Sequence, residues 1–163
     1  MISKRQDFCN QKSYESGCKY LSRQTEKIYL GNLKAKRDWG YTPEYVELMW
    51  RMLQQKKPAD YVVGTGEIHS VEEFVKLAFG YAGLNPKKYI NIDKYYFRPT
   101  ETHNLVADNT KARKIFGWKP KIKFQELVKI MVDADMRAIG LEPIGEGDKI
   151  LKKKFPDRWW KAD

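Results

Sequence analysis

A chain of 163 residues has room for one ordinary domain and at most a small second subdomain. Lysine and arginine number 31 against 21 aspartates and glutamates, a net charge of +10, while 42% of residues are hydrophobic and 13% aromatic. That is enough apolar material to bury a core and excludes a disordered polyelectrolyte. The positive excess is spread over all thirds of the chain, and only Lys152-Lys153-Lys154 forms a run, which reads first as a solvated face. Cys9 and Cys18 stand without a second pair or a CxxC, so neither a disulfide framework nor a zinc knuckle is expected. With no apolar run of membrane-spanning length and no signal-peptide stretch at the N-terminus, the expected location is cytoplasmic.

Residues 1–26 are polar and weakly patterned, with Phe8, Tyr14, Cys18 and Leu21 the only candidate buried side chains of at most a marginal helix. Lys27-Ile28-Tyr29-Leu30 is a β-type run ended by the turn pair Gly31-Asn32. Thr42-Pro43 predicts a helix start, with Thr42 as cap, and Val46, Met49, Trp50 and Leu53 follow at the spacing of one buried face, up to Pro58. Tyr61-Val62-Val63 predicts a short strand before Gly64-Thr65-Gly66. Ser70-Val71-Glu72-Glu73 is a capping box that opens a helix with Phe74, Leu77, Ala78 and Tyr81 inward, stopped at Gly83. Tyr89 to Asp93 reads as extended. Asp108 is expected to cap a two-turn helix ending at Gly117. A last long helix runs from Phe124 to Ala138, with Ile122 and Leu127 as a hydrophobic staple. Beyond Gly140 the pattern predicts a charged, Trp-tipped tail that orders only on a partner surface.

The chemistry-bearing motifs are informative by absence. Gly64-Thr65-Gly66-Glu67-Ile68-His69 lies where a dinucleotide-binding loop would, but His69 replaces its third glycine, which favours a plain turn. None of the ten tyrosines has a lysine four positions on, so a Tyr-x-x-x-Lys hydride-transfer pair is missing. His69 and His103 are too few for a metal cluster. Two constellations remain. The stretch from Leu30 to Gly40 joins a turn, a cationic cluster with Arg37, Trp39 and a following helix start, the parts a diphosphate site needs. In Arg98-Pro99-Thr100-Glu101 a proline stiffens the loop between an arginine fit for phosphate and a carboxylate fit for ribose hydroxyls. For both, the plainer alternative is a salt bridge with no ligand.

At these places the sequence closely resembles the GDP-mannose 4,6-dehydratase family. The resemblance rests on Tyr29 to Tyr41, Tyr45-Val46-Glu47, Met49-Trp50, Gly66 to Val71, Tyr96 to Glu101 and Phe116-Gly117-Trp118-Lys119-Pro120, in family order from about Lys27 to Ala138. It implies the C-terminal sugar-nucleotide-binding lobe of an extended short-chain dehydrogenase/reductase. The Rossmann half, which carries NADP and the catalytic Tyr and Lys, is missing. Carried over motif by motif, Asn32 and Arg37 are implied contacts to the guanosine diphosphate, Arg98 the second diphosphate clamp and Glu101 the ribose acceptor. No catalytic, cofactor-binding or metal-binding residue is matched. Upstream of Lys27 only Lys4-Arg5 and Phe8 echo the family, Lys123 stands where a Ser or Thr cap is common, and Leu141 to Asp163 has no family counterpart.

The expected fold class is therefore mixed α/β, helix-rich with short strands: a weak segment over 1–26, the lobe over 27–140 and a tail over 141–163. The expected function is the GDP-mannose-binding portion of such a dehydratase, inactive alone. NADP would belong to the full-length enzyme and none would bind this chain. Expected partners are GDP-mannose and a separate Rossmann-domain chain, with self-association through the apolar face left uncovered, and with neither nucleic acid nor membrane. Two alternatives stand beside this. One is a basic RNA- or membrane-surface-binding module built on Arg37, Lys152 to Lys154, Trp159 and Trp160; the other is a gene remnant without function.

Overall fold

The computed structural model describes residues 27–98 and 106–157. The chain runs β1 (Ile28–Leu30), β2 (Lys36–Asp38), α1 (Thr42–Leu53), β3 (Ile68–Ser70), α2 (Val71–Tyr81), α3 (Pro86–Tyr89), β4 (Ile90–Ile92), a 3₁₀ turn (Lys94–Tyr96), α4 (Thr110–Phe116), α5 (Phe124–Ala138) and α6 (Glu146–Lys154). This is the expected mixed, helix-rich class. The strands form two separate pairs: β1 lies parallel to β4, with Ile28 opposite Ile90, and β2 lies antiparallel to β3, with Arg37 opposite His69.

Helix α2 is the hub. The capping box opens it as expected: Ser70 Oγ accepts the Glu73 N–H at 3.1 Å, and Glu73 Oε2 accepts the Ser70 N–H at 3.3 Å. Its Phe74 enters the main core, where Trp39 stacks on it at 4.8 Å and Phe124, Leu127, Val128, Leu151 and Phe155 close around. Its Val75 and Phe79 face the other way, onto Ile28 and Leu30 of β1. One amphipathic helix thus joins the strand pair to the α5–α6 layer. A third, smaller core of Leu48, Ala112 and Trp118 ties α1 to α4.

Several expectations are corrected. Tyr41, not Thr42, occupies the cap position of α1 and supplies no side-chain bond, and the helix stops at Leu53, short of Pro58. Its apolar stripe points outward: Val46, Met49, Trp50 and Leu53 are exposed, Leu53 by 81%, while Leu48 and Glu44 are buried. Tyr61-Val62-Val63 is not a strand, since no neighbouring strand pairs with it and Val62 is exposed. Asn109 rather than Asp108 occupies the α4 cap position, and Asp108 Oδ1 accepts the Thr110 N–H at 2.9 Å just upstream.

The tail expected to order only on a partner is corrected too, since its residues 146–154 form α6 against α5. Asp133, fully buried on α5, accepts the N–H groups of Gly145 at 3.1 Å and Gly147 at 2.7 Å, and the Tyr81 hydroxyl donates to it as well. Gly147 is required by this approach, because a Cβ there would lie 2.6 Å from the Ile130 Cα, a backbone atom that cannot yield. Lys129–Glu146 and Arg137–Asp148 ion pairs flank the seam. Helix α5 has the expected bounds and staple, with Ile122 and Leu127 buried together, while its Lys123 cap has no acceptor to offer and only Glu126 reaches back to the Lys123 N–H, at 2.8 Å.

Glu44 fastens α1 to the segment before α5 by accepting the N–H groups of Lys121 at 2.6 Å and Ile122 at 3.3 Å. Burial raises its carboxyl above the usual carboxylate range despite those bonds. A raised native value means that the folded chain holds the proton more tightly. The stability linked to it is complete below about pH 4.5 and is lost as pH rises through the native value. Urea unfolding from pH 4 to 7 is expected to show this fall in the wild type and not in Glu44→Gln; parallel curves for the two would remove Glu44 as its source.

Candidate functional site

The pairing of β1 with β4 brings the two sequence constellations together. Beyond the ladder the Asp93 N–H continues it by donating to the Leu30 carbonyl at 2.8 Å, and the next residue, Gly31, lies directly against the backbone of Tyr96. A Cβ at Gly31 would be 2.5 Å from the Tyr96 oxygen, so only glycine permits this junction. The Asn32 turn thereby meets the segment Tyr95-Tyr96-Phe97-Arg98, whose side chains are exposed. Asn32 Oδ1 accepts the Lys34 N–H at 3.0 Å and its carbonyl accepts the Ala35 N–H at 3.3 Å. The turn uses the side-chain oxygen, so what Asn32 offers a ligand is its NH₂ donors.

Arg37 lies on the other ladder, on the rung shared with His69, and its Nη1 donates to the Lys36 carbonyl at 2.6 Å. Arg98 follows the 3₁₀ turn, whose start Asp93 caps by accepting the Tyr95 N–H at 2.9 Å. Glu101 lies outside the described residues, as do His103, Cys9, Cys18 and Trp159-Trp160. The structure therefore joins the Asn32 turn to the Arg98 segment and holds Arg37 on a separate strand pair.

Sequence reasoning missed Asp38. Its two oxygens accept three hydrogen bonds from the glycine-rich turn: Thr65 N–H at 2.9 Å and Thr65 Oγ1 at 2.6 Å on Oδ1, and Gly66 N–H at 2.9 Å on Oδ2. Asn109 adds a bond to the Gly64 carbonyl at 2.9 Å. A loop that cradles a pyrophosphate must present its amides to it. Here an internal carboxylate holds them, so the turn does not fit a dinucleotide and the plain-turn reading stands. The only signal was an acidic residue inside a short β-run, Lys36-Arg37-Asp38, and nothing in its spacing named its partner.

Burial, reinforced by Asp38 and Glu44, pushes the Tyr45 phenol well up, and burial with the Asp133 carboxylate pushes Tyr81 up to about 12. No group of three metal-ligating side chains occurs among the described residues, and none of their helices is long and apolar enough to cross a membrane. The lysine run is split. Lys154 donates to the Lys121 carbonyl at 2.6 Å and pairs with Glu126, which leaves Lys152 and Lys153 facing solvent.

Two solved structures share this fold. RMD from Pseudomonas aeruginosa, solved with NADPH, superposes with a TM-score of 0.66 at 18% identity over 78% of this chain and 41% of its own. A dTDP-glucose 4,6-dehydratase from Bacillus anthracis, solved with NAD, gives 0.57 at 16% identity over 90% and 40%. The class of fold defined is thus the mixed, helix-rich α/β arrangement that makes up about two-fifths of each of those chains. The family is narrower. The model described as GDP-mannose 4,6 dehydratase matches residues 2–131, which carries the likeness upstream of Lys27, where the motifs thin out. GDP-mannose 4,6 dehydratase 1 of Arabidopsis thaliana is 55% identical over 118 residues, 72% of this chain and 33% of the relative. The human GDP-mannose 4,6 dehydratase is 40% identical over 154 residues, 84% and 41%. The chain belongs to the GDP-mannose 4,6-dehydratase family and spans about a third of the length of the first relatives it matches. That kinship leaves the RNA or membrane-surface module without support.

If Asp38 organises the turn, Asp38→Ala leaves two backbone amides without acceptors. Urea denaturation is expected to show a loss of about 2 kcal/mol, with faster hydrogen exchange at Thr65 and Gly66. Unchanged exchange at those amides would mean that the turn holds itself.

Proposed function

We propose that this chain is the GDP-mannose-binding portion of a GDP-mannose 4,6-dehydratase and that it has no dehydratase activity alone. The observation that carries the reading is the 55% identity to a named dehydratase over a third of its length, in a chain without a Tyr-x-x-x-Lys pair and with its glycine turn closed by Asp38. Asn32 and Arg37 would contact the guanosine diphosphate, Arg98 would grip the diphosphate from the opposite strand pair, and Glu101 would accept the ribose hydroxyls. A planar guanidinium suits paired phosphate oxygens, and an arginine on each of two supports fixes both phosphates at once. Among the described residues the glycine turn does not suit NADP, so the redox chemistry of the reaction would belong to a Rossmann-domain portion.

The outward stripe of α1 supports the same reading. Val46, Met49, Trp50 and Leu53 at helical spacing form an apolar face, with exposed Val62 on an unpaired β-type run nearby in sequence. Such a patch on a monomer marks an interface, and here its occupant would be a Rossmann-domain portion of the enzyme. Without that portion the face is expected to drive self-association. Light scattering should find oligomers in the wild type and a smaller species in the double variant Trp50→Glu, Leu53→Glu; a monomeric wild type at high concentration would refute it.

Titration calorimetry with GDP-mannose tests the site. Binding is expected in the wild type and about 10- to 100-fold weaker in Arg98→Ala, the worth of a charge-assisted bond. No heat from the wild type would overturn the reading and favour the remnant alternative.

A further inference from the structure

His69 has a geometry that its place in β3 leaves unexplained. It stands directly opposite Arg37 across the β2–β3 ladder, so both side chains leave the same face of the pair. The imidazole lies flat on Phe124, with ring centroids 3.9 Å apart and planes within 3°. Nδ1 is 3.0 Å from Glu73 Oε2 on α2, while Nε2 is buried with no hydrogen-bond partner. The nearest carboxylate to it, Glu67 Oε2, stands at 4.0 Å, and the Lys123 ammonium, ahead of α5, holds the other Glu67 oxygen at 3.0 Å. His69, Phe124, Glu67 and Lys123 border a small open cleft lined also by Trp39 and Thr65.

A buried ring nitrogen without a partner is costly to keep. Protonation would make it a donor aimed at Glu67, which a small side-chain movement brings into range. With the imidazole neutral, two carboxylates, Glu67 and Glu73, face a single ammonium, Lys123, so the cluster beside the Arg37 rung is net negative. With the imidazole charged, it is balanced. We infer that His69 is a positioning residue of the Arg37 anion site and that its protonation tightens the hold on a sugar-nucleotide diphosphate. The inference rests on the reading that Arg37 meets the diphosphate. Histidine is the side chain that ordinarily changes charge between pH 5 and 8.

The probe is GDP-mannose, whose diphosphate is esterified at both ends and keeps its charge over that range. Calorimetry on the full chain is expected to show binding about 5-fold tighter at pH 5.5 than at pH 8.0. In His69→Gln the dependence should vanish. The chain has two histidines, so the imidazole resonance missing from His69→Gln identifies His69, and saturating ligand should move its titration midpoint upward. If His69→Gln does not fold, Glu73→Gln, which takes the negative charge off the Nδ1 partner, should lower that midpoint and shrink the pH effect. Wild-type binding that ignores pH, or a His69→Gln slope equal to the wild type's, overturns the role of His69 alone. Absence of binding at every pH overturns the dehydratase reading, and this inference with it.

Discussion

Carboxylates hold this lobe together where sheets would do so in another fold. Two short strand pairs satisfy few backbone groups, yet buried amides must find acceptors. Asp38, Glu44 and Asp133 each accept two backbone N–H groups from outside their own element: the 65–66 turn, the 121–122 approach to α5 and the 145–147 entry to α6. Each of the three thereby fixes a turn or the entry to a helix. The aromatic core around Trp39 and Phe74 then packs against elements whose ends are already tied. The indole itself joins the scheme, with Nε1 donating to the His69 carbonyl at 3.2 Å.

What the sequence made legible were local features with local causes. The Ser70–Glu73 capping box and the Phe124–Ala138 helix follow from rules that act within a few residues, and Gly31-Asn32 is recognisable as a turn by composition. The carboxylate ties were not legible, because an acidic residue in sequence looks the same whether it meets water or an amide about 80 residues on, as Glu44 does. Of the site, the turn carrying Asn32 and the arginines was readable as chemistry, but only the Gly31–Tyr96 approach shows that the Asn32 turn and the Arg98 segment are neighbours.

The instructive error concerns α1. Periodicity correctly found one apolar face at Val46, Met49, Trp50 and Leu53, yet the chain buries the opposite one, with Leu48 and Glu44 inside. A hydrophobic stripe reports that a surface is to be covered, not by what. Tyr61-Val62-Val63 repeats the point for strands, since β-type composition makes no strand without a neighbour to bond. Both failures fall on segments that expose apolar side chains among the described residues.

The parallel pairing of β1 with β4 also sets an order of assembly. Helices α5 and α6 are joined by a short loop and can dock early, whereas Ile28 finds Ile90 only after everything between them has been gathered in. Closing so long a loop costs entropy that local contacts do not. The junction of Gly31 with Tyr96 depends on that closure. A ligand bridging the two segments would add its binding free energy to this long-range contact, and so act as the clasp of the fold as well as its cargo.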